Sequence, residues 1–305
     1  MKKVFLPAIR IFMVMCIFIT YIHAQNKPGT TTGIQPQGPF LGQTPPSKTP
    51  APFAAESLSI HGSRLHSCTS FTAAGGELFW AVIPPRVMHM KLGENRWSKP
   101  RPASFSQRNI QAPVFSPDGN RVYFQMSRQD GHGSLDIWFS ARCDTGWSAP
   151  VLVDAPPNSN TMEAQPSLTS SGTIYFCGTL EGSGWNRGIY RSEHNDSVYM
   201  PAELLPPSIN SKYIDAYPFI APDESFLLFS SSRPHMEESA LKLFASWRNS
   251  NGAWSEPVSI SDYLDITSPV RFACVTPDMK YMFYMSGSTI FWVDAAVLED
   301  ARNSM

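Results

Sequence analysis

The sequence has little charge, few cysteines and, after residue 25, no long apolar stretch at helical spacing apart from a short C-terminal piece. Charged residues make up 16% of the 305 residues, with 24 lysines and arginines against 25 aspartates and glutamates. No basic stripe is present, so the charge pattern does not indicate a nucleic-acid partner. No Cys-x-x-Cys spacing is present, which argues against a structural zinc site. High aromatic content with dispersed glycine and proline is typical of a turn-rich, all-β domain.

One stretch, QAPVFSPDGNRVYFQMS at residues 111–127, predicts two short strands joined by a turn at Pro117-Asp118-Gly119-Asn120. Proline pre-sets φ for the turn, aspartate hydrogen-bonds to the local backbone, and glycine accepts a positive φ. Related segments recur, and a weaker copy precedes them. They occupy residues 70–82, 165–178, 217–234 and 272–286. The turn positions Asp118, Ser171, Asp223 and Asp278 are spaced by 53, 52 and 55 residues.

Two further elements accompany the hairpins. The first is a third strand, found as LDIWFS (135–140), GIYRS (188–192), LKLFAS (241–246) and TIFWVD (289–294). The second is an aromatic residue followed shortly by proline, found as RWSKP (96–100), GWSAP (146–150), VYMP (198–201) and AWSEP (253–257). A repeat of about 40–50 residues with four short strands predicts a β-propeller of four-stranded blades. Five blades are favoured, and six is the alternative if residues 40–66 hold a degenerate unit.

The ring of blades must be closed, because an open sheet edge is an aggregation hazard. We expect residues 56–61, ESLSIH, to pair with the last blade and close it. The repeated aspartates of the turns and the repeated Trp97, Trp147 and Trp254 are interpreted as structural, since a catalytic residue need occur only once.

The chain divides into four predicted parts. Residues 1–24 have a basic start, an apolar run and a small residue before Gln25, as in a cleaved signal peptide; an uncleaved membrane anchor is the alternative. Residues 25–55, rich in proline, glycine and threonine, predict a disordered tether. Residues 56–296 form the propeller and 297–305 a short tail. We expect an exported monomer, periplasmic or secreted, without a transmembrane span after cleavage, and with 21 basic against 25 acidic residues.

Four cysteines remain after the predicted cleavage: Cys68, Cys143, Cys177 and Cys274. Export would permit disulfides. The four fall at non-equivalent positions of the repeat, and buried free thiols are favoured. Cys68 and Cys274 are the pair to test, because both lie on inner strands of blades that would meet where the ring closes.

The segments FSPDGNRVYF, LDIWFS, GWSAP, IAPDESFLLFSSSRP and IFWVDA resemble the TolB-like, WD-repeat-like propeller family, whose repeats centre on a Ser-Pro-Asp-Gly turn. The resemblance covers most of residues 65–296. It implies an exported or periplasmic scaffold or binding module, although related propellers also occur beside peptidases and within carbohydrate-active enzymes. We expect no attached hydrolase domain, because the repeats occupy most of the sequence and it has no Gly-x-Ser-x-Gly nucleophile elbow.

A binding site is expected at the mouth of the central channel, where the innermost strands begin. Alignment on the turns brings five candidate ligand-binding residues to this mouth: His66, Glu163, Asp215, Tyr217 and Arg271. Three interpretations compete. Glu163 and Asp215 cap the loops before the inner strands and pair with Arg271; or the mouth binds a sugar, peptide or partner loop, with Tyr217 and Phe272 as stacking faces; or the two carboxylates cleave a glycosidic bond.

No catalytic residue and no cofactor are predicted. A divalent ion bound by His66, Glu163 and Asp215 is left open, because their spacing has no diagnostic value. The sequence favours an exported, non-catalytic propeller that acts as a protein-binding or scaffold module in the cell envelope. A carbohydrate-binding or carbohydrate-active propeller is the alternative.

Overall fold

The computed structural model describes residues 36–304 apart from 73–74, 107–108, 129–134, 155, 181–186, 196–197 and 236. The predicted signal peptide and the first part of the predicted tether lie outside the described residues. In chain order the strands are β1 (Ala51–Pro52), β2 (Arg64–Leu65), β3 (Ser70–Phe71), β4 (Glu77–Ile83), β5 (Arg86–Lys91), β6 (Arg101–Pro102), β7 (Gln111–Phe115), β8 (Arg121–Met126), β9 (Asp136–Cys143), β10 (Gly146–Trp147), β11 (Val151–Leu152), β12 (Glu163–Leu168), β13 (Ile174–Thr179), β14 (Arg187–Ser192), β15 (His194–Asn195), β16 (Val198–Tyr199), β17 (Glu203–Leu204), β18 (Asp215–Ile220), β19 (Phe226–Ser231), β20 (Lys242–Trp247), β21 (Val258–Ser259), β22 (Val270–Val275), β23 (Tyr281–Ser286) and β24 (Thr289–Asp294). The helices are α1 (Ala55–Leu58), α2 (Ile260–Tyr263) and α3 (Ala296–Asn303), with single 3-10 turns at Pro39–Gly42 and Glu238–Ala240.

Five antiparallel sheets of four or five strands form the blades of a propeller, and β15 and β16 form a separate two-stranded sheet within blade 3. Blade 1 contains β2 to β6, blade 2 contains β7 to β11, blade 3 contains β12 to β17, blade 4 contains β18 to β21, and blade 5 contains β22 to β24 with β1. The predicted all-β propeller with five blades is therefore confirmed. Residues 40–66 supply β1, α1 and β2 rather than a sixth blade.

The turn that defines the repeat has the predicted geometry in three blades. The carboxylates of Asp118, Asp223 and Asp278 accept the backbone N–H two residues further on, at 3.0, 3.0 and 3.3 Å. Gly119 has the expected positive φ of 69°. Side-chain hydrogen bonds from Ser116, Ser225 and Thr276, together with these backbone bonds, hold the pKa values of the three carboxyls below their usual range, against the partial burial that would raise them. The aspartates thus stabilise the turns, as their repetition indicated.

Aromatic side chains fill the spaces between neighbouring blades. Trp97 is fully buried in the apolar cluster shared by blades 5 and 1. Trp147 packs with Phe79 of blade 1 and Phe115 of its own blade, and Trp254 packs between blades 3 and 4. The repeated tryptophans are therefore structural, as interpreted from the sequence, and they pack where neighbouring blades meet.

An N-terminal strand closes the ring, but it is not the predicted one. Ala51 and Pro52 in β1 pair with Trp292 and Phe291 as the outermost strand of blade 5. Residues 56–61 were expected in this place; instead, residues 55–58 form the single helical turn α1. A proline is tolerated in β1 because an outer strand needs hydrogen bonds on one side only.

The last part of the predicted tether, residues 36–55, packs on the ring. The Phe53 side chain is fully buried against the rings of Phe71, Phe283 and Trp292. At the other end of the chain, α3 buries the side chains of Val297, Leu298 and Ala301. None of the helices in the described residues has the length and apolar character needed to cross a membrane.

Candidate functional site

The innermost strands share an irregularity beside the central channel. In blades 2 to 5 the pairing of the first strand with the second shifts register after its first one or two residues. At this point one residue of each strand takes a positive φ of 50–56°: Ala112, Gln165, Tyr217 and Phe272. Such bulges re-aim side chains at the ends of sheets. These residues line the channel, which is narrow and mostly apolar, with a cavity of about 60 Å³.

Glu163 is a buried loop cap. Its side chain is 3% exposed, and its two oxygens accept the backbone N–H of Ser159 at 3.1 Å and the hydroxyl of Thr161 at 3.0 Å. The Ser159 hydroxyl also donates to it. These bonds fix the loop that leads into β12.

Asp215 plays the equivalent part in blade 4 and is fully buried. Its Oδ2 accepts the backbone N–H and the hydroxyl of Ser211 at 2.6 and 2.7 Å. Its Oδ1 accepts a hydrogen bond from the guanidinium of Arg233 at 2.8 Å. The expected partner was Arg271. Arg233 takes this place because it follows β19, which pairs directly with β18 in the same blade.

An asparagine belongs to each of these two loops, and sequence reasoning missed it. The side-chain amide of Asn158 accepts the N–H of Ile137 and donates to the carbonyls of Ile137 and Val153. Asn210 makes the same three bonds one blade further on, with Ile189 and Leu205. Both asparagines thereby anchor the mouth loop to the third strand of the preceding blade. The signal was present: both loops contain Asn-Ser, and the acidic residue follows five positions after the asparagine.

A chain of amide hydrogen bonds runs across the mouth. His66 Nε2 lies 2.8 Å from Gln111 Oε1, which also accepts from Gln125 at 3.2 Å. Gln125 in turn accepts the backbone N–H of Gln165, and Gln165 accepts that of Tyr217, both at 3.0 Å. These contacts link blades 1 to 4 and hold His66 and Tyr217 in fixed positions.

Three of the five predicted site residues line one cleft, which we call the mouth cleft. It has a volume of about 280 Å³ and is bordered by Arg64, Leu65, His66, Ile83, Tyr217, Arg271, Phe272, Met285, Gly287 and Ser288. Glu163 and Asp215 do not belong to it. Arg64 was not predicted, because it precedes the first repeat. The available signal was its position two residues before His66, at the start of β2.

Two arginines, Arg64 and Arg271, border the mouth cleft together with His66. Burial lowers the pKa of His66, and the positive charges of Arg64 and Arg271 lower it further, while the hydrogen bond with Gln111 acts in the opposite direction. No acidic side chain is present among the described residues that border this cleft. Its floor is aromatic: Tyr217 and Phe272 meet edge to face with ring centroids 4.6 Å apart.

The structure also bears on the metal and cysteine hypotheses. Within the described ranges, no group of three or more histidine, cysteine or acidic side chains is placed to hold a metal ion. All four described cysteines are free thiols. Cys68 and Cys274 both line the channel, and burial together with the neighbouring Cys274 thiol raises the pKa of Cys68.

A scan of protein-family models gave no match to the sequence, and a search of curated proteins gave none. Solved structures match the fold. A TolB candidate from Agrobacterium tumefaciens is 17% identical with a TM-score of 0.52, over 74% of this chain and 71% of that one. TolB from Acinetobacter baumannii is 15% identical with a TM-score of 0.50, over 75% of this chain and 53% of that one. An endo-arabinase from Bacteroides thetaiotaomicron is 16% identical with a TM-score of 0.51, over 82% and 96%.

The fold and these matches define the class of the protein: it is a five-bladed β-propeller. Its structural neighbours include TolB proteins, as the sequence resemblance implied. They also include an endo-arabinase, so the comparison at this level of identity concerns the fold, and function must be argued from the site.

Proposed function

We propose that the chain is an exported, non-catalytic propeller of the cell envelope, which binds a protein partner at the mouth of its channel. His66, Tyr217 and Arg271 would contact the partner, while Glu163 and Asp215 shape the loops around it. The observation that carries this proposal is that the acidic side chains at the mouth are placed differently from the cationic and aromatic ones. Both mouth carboxylates are buried and hydrogen-bonded, whereas the cationic and aromatic side chains border a cleft.

The burial of both carboxylates also argues against a glycosidase. Cleavage of a glycosidic bond by the usual route requires two carboxyl groups that face the bond, one as acid and one as base or nucleophile. The oxygens of Glu163 and Asp215 instead receive the N–H and hydroxyl groups of their own loops. Neither carboxylate borders the mouth cleft.

Sugar binding without cleavage is also less well supported than protein binding. A sugar ring stacks on an open aromatic face, but Tyr217 is 8% exposed and Phe272 meets it edge to face.

Site-specific photo-crosslinking in the producing cell tests the proposal. A photoreactive residue at Ser288, exposed at the mouth cleft, should form an adduct with a defined protein. The matched control is Asn120, which is exposed in a turn on the opposite side of the ring. The Ser288 adduct should disappear in the Arg64→Gln/Arg271→Gln double variant and persist in Arg101→Gln, whose arginine is exposed on outer strand β6.

Cell fractionation and N-terminal sequencing of the purified chain test export in parallel. Retention of the chain in the cytoplasm would contradict it. An adduct at Asn120 but not at Ser288 would place the partner elsewhere. Saturable binding on a glycan array, lost in the double variant, would favour the carbohydrate alternative.

A further inference from the structure

Two cysteine side chains meet on the inner side of the seam where the ring closes. Cys68 lies between β2 and β3 of blade 1, and Cys274 lies in β22, the innermost strand of blade 5. Both side chains line the central channel. Cys68 belongs to the apolar cluster shared by blades 5 and 1, and Cys274 packs against this cluster. The pair therefore joins the first and the last blade of the ring.

The two thiols are in contact, and they share a hydrogen bond. The Cys274 thiol also donates to the carbonyl oxygen of Thr69, the neighbour of Cys68, with an S···O distance of 3.4 Å. Thr69 and Cys274 are 205 positions apart in the sequence, so the contact exists only because the ring is closed. The backbone at Cys274 is held by its pairing with Phe283. A disulfide has an S–S bond of about 2.05 Å, and its formation requires only that these two neighbouring sulfur atoms move closer together.

The surroundings of the pair favour uncharged sulfur. Burial, and then the hydrogen bond with Cys274, raises the pKa of Cys68 well above its usual value. Ala112, Phe272 and Ala273 are among the apolar residues that line the same cavity. A disulfide has no charge and no polar hydrogen that needs a partner, so it is better suited to this lining than a thiolate. Oxidation of the pair is therefore compatible with the packing of the closed ring.

We propose that Cys68 and Cys274 are an oxidation site, at which a disulfide forms and joins blade 1 to blade 5 on the inner side of the seam. The strand β1 closes the same seam at the outer edge of blade 5. A disulfide stabilises a fold mainly by restricting the unfolded chain, and the effect grows with the length of the loop that it closes. This disulfide would close a loop that contains almost the whole propeller. The chemistry of the pair needs neither the partner nor the export proposed above.

The oxidant in this reaction is a second disulfide, which is reduced by thiol–disulfide exchange. Exchange begins at Cys274, because its side chain is partly exposed whereas that of Cys68 is buried. The Cys274 sulfur loses its proton and bonds to one sulfur of the oxidant, and the other oxidant sulfur leaves and takes up a proton. The Cys68 sulfur then loses its proton and displaces the remaining oxidant sulfur from Cys274, which leaves as a second thiol. The chain loses two electrons and two protons, and the oxidant gains both.

Peptide mapping after oxidation tests this inference. The purified full chain is incubated with oxidised glutathione, its remaining thiols are alkylated in denaturant, and it is digested with trypsin. Cleavage after arginine and lysine places Cys68 on peptide 65–86 and Cys274 on peptide 272–280. These two peptides should appear as one linked species that is lighter than their sum by two hydrogen atoms. Peptide 143–187, which contains Cys143 and Cys177, should carry two alkylated thiols and serves as the internal control.

Thermal unfolding measures the effect on the ring. The oxidised chain should melt at least about 5 °C above the same chain kept in dithiothreitol. Cys274→Ser should abolish this difference, because its hydroxyl can still donate to Thr69 but cannot form the disulfide. Cys143→Ser, at an exposed cysteine, should leave both the linked peptide and the difference unchanged. If the Cys274→Ser chain does not fold, Cys68→Ala replaces it in the same comparison.

Three results would overturn the inference. The first is that Cys68 and Cys274 are both alkylated after treatment with oxidised glutathione. The second is that glutathione remains attached to Cys274, or that either cysteine is linked to Cys143 or Cys177 instead. The third is that the linked peptide forms without a rise in melting temperature. Each of these results leaves the proposed function standing, and absence of the Ser288 adduct leaves this inference standing.

Discussion

Substitution of Glu77 by glutamine should weaken the contact between blades 1 and 2 and so lower the stability of the fold. Glu77 is 5% exposed and begins β4. Its Oε1 lies 2.7 Å from His89 Nε2 and accepts a hydrogen bond from Trp147 Nε1 at 3.1 Å. Its Oε2 accepts a hydrogen bond from the guanidinium of Arg142, in blade 2, at 2.9 Å. The Arg142 guanidinium also covers the Trp147 ring at 4.3 Å. One carboxylate therefore connects side chains from both blades.

The magnitude follows from the pKa of Glu77. Burial would raise it, but the hydrogen bonds from His89, Arg142 and Trp147 outweigh burial and lower the pKa from 4.5 to about 2. A shift of this size corresponds to about 3 kcal/mol of folding free energy carried by the ionised form. Because the folded pKa lies below the unfolded value, this stabilisation is complete above about pH 4.5 and is lost as the pH falls towards 2.

Denaturant unfolding at a series of pH values measures the effect. Glu77→Gln should lower the free energy of unfolding by about 2–4 kcal/mol at pH 7, and the difference from the parent should shrink steadily between pH 4.5 and pH 3. Glu94→Gln, at an exposed position, is the matched control and should have little effect at any pH. A loss below about 1 kcal/mol at pH 7, or a loss that does not change with pH, would refute this reasoning.

Three other substitutions test the closure, the turn and the mouth loop by the same unfolding assay. Phe53→Ala should cost about 3–5 kcal/mol because it empties a fully buried ring site at the closing strand, whereas exposed Glu56→Ala should cost little; equal effects would remove the closure account. Gly119→Val should cost at least about 1–2 kcal/mol, because the turn holds φ at 69°; a neutral result would contradict the turn assignment. Asp215→Asn should cost about 2–3 kcal/mol by leaving Arg233 without its charge partner, and parent-like stability would show that the loop does not depend on this ion pair.

The sequence predicts the architecture well because the architecture is repeated. The turn at Pro117–Asn120, the third strand and the buried tryptophans each occur several times, so one irregular copy does not hide the period. Even Met279, which departs from the Pro-Asp-Gly pattern, takes the positive φ of 59° that the turn needs. Tertiary packing overrides its local preference.

Features that occur once were harder to predict. The closing strand β1 is two residues long and contains Pro52, so it carries almost no local strand signal, and its pairing depends on residues about 240 positions away. Arg64 lies outside the repeat. The partner of Asp215 was misassigned because the distance between Asp215 and Arg233 depends on strand register, which the alignment of repeats does not provide.

The candidate site was predicted in part. Alignment of the repeats brought His66, Tyr217 and Arg271 to the mouth, where they border one cleft. It placed Glu163 and Asp215 at equivalent positions, but it did not distinguish a carboxylate that faces a ligand from one that caps a loop. That distinction depends on side-chain direction, which the serines at positions 159 and 211 determine.

The most direct test of the central claim is the hydrogen-exchange footprint of the partner captured through Ser288. Amide exchange of the full chain should be measured alone and with this purified partner. The account predicts slower exchange at residues 64–66, 270–272 and 285–288, which surround the mouth cleft, and no change in the turns at 116–121 and 276–281. Protection confined to those turns, with unchanged exchange at the mouth, would contradict it.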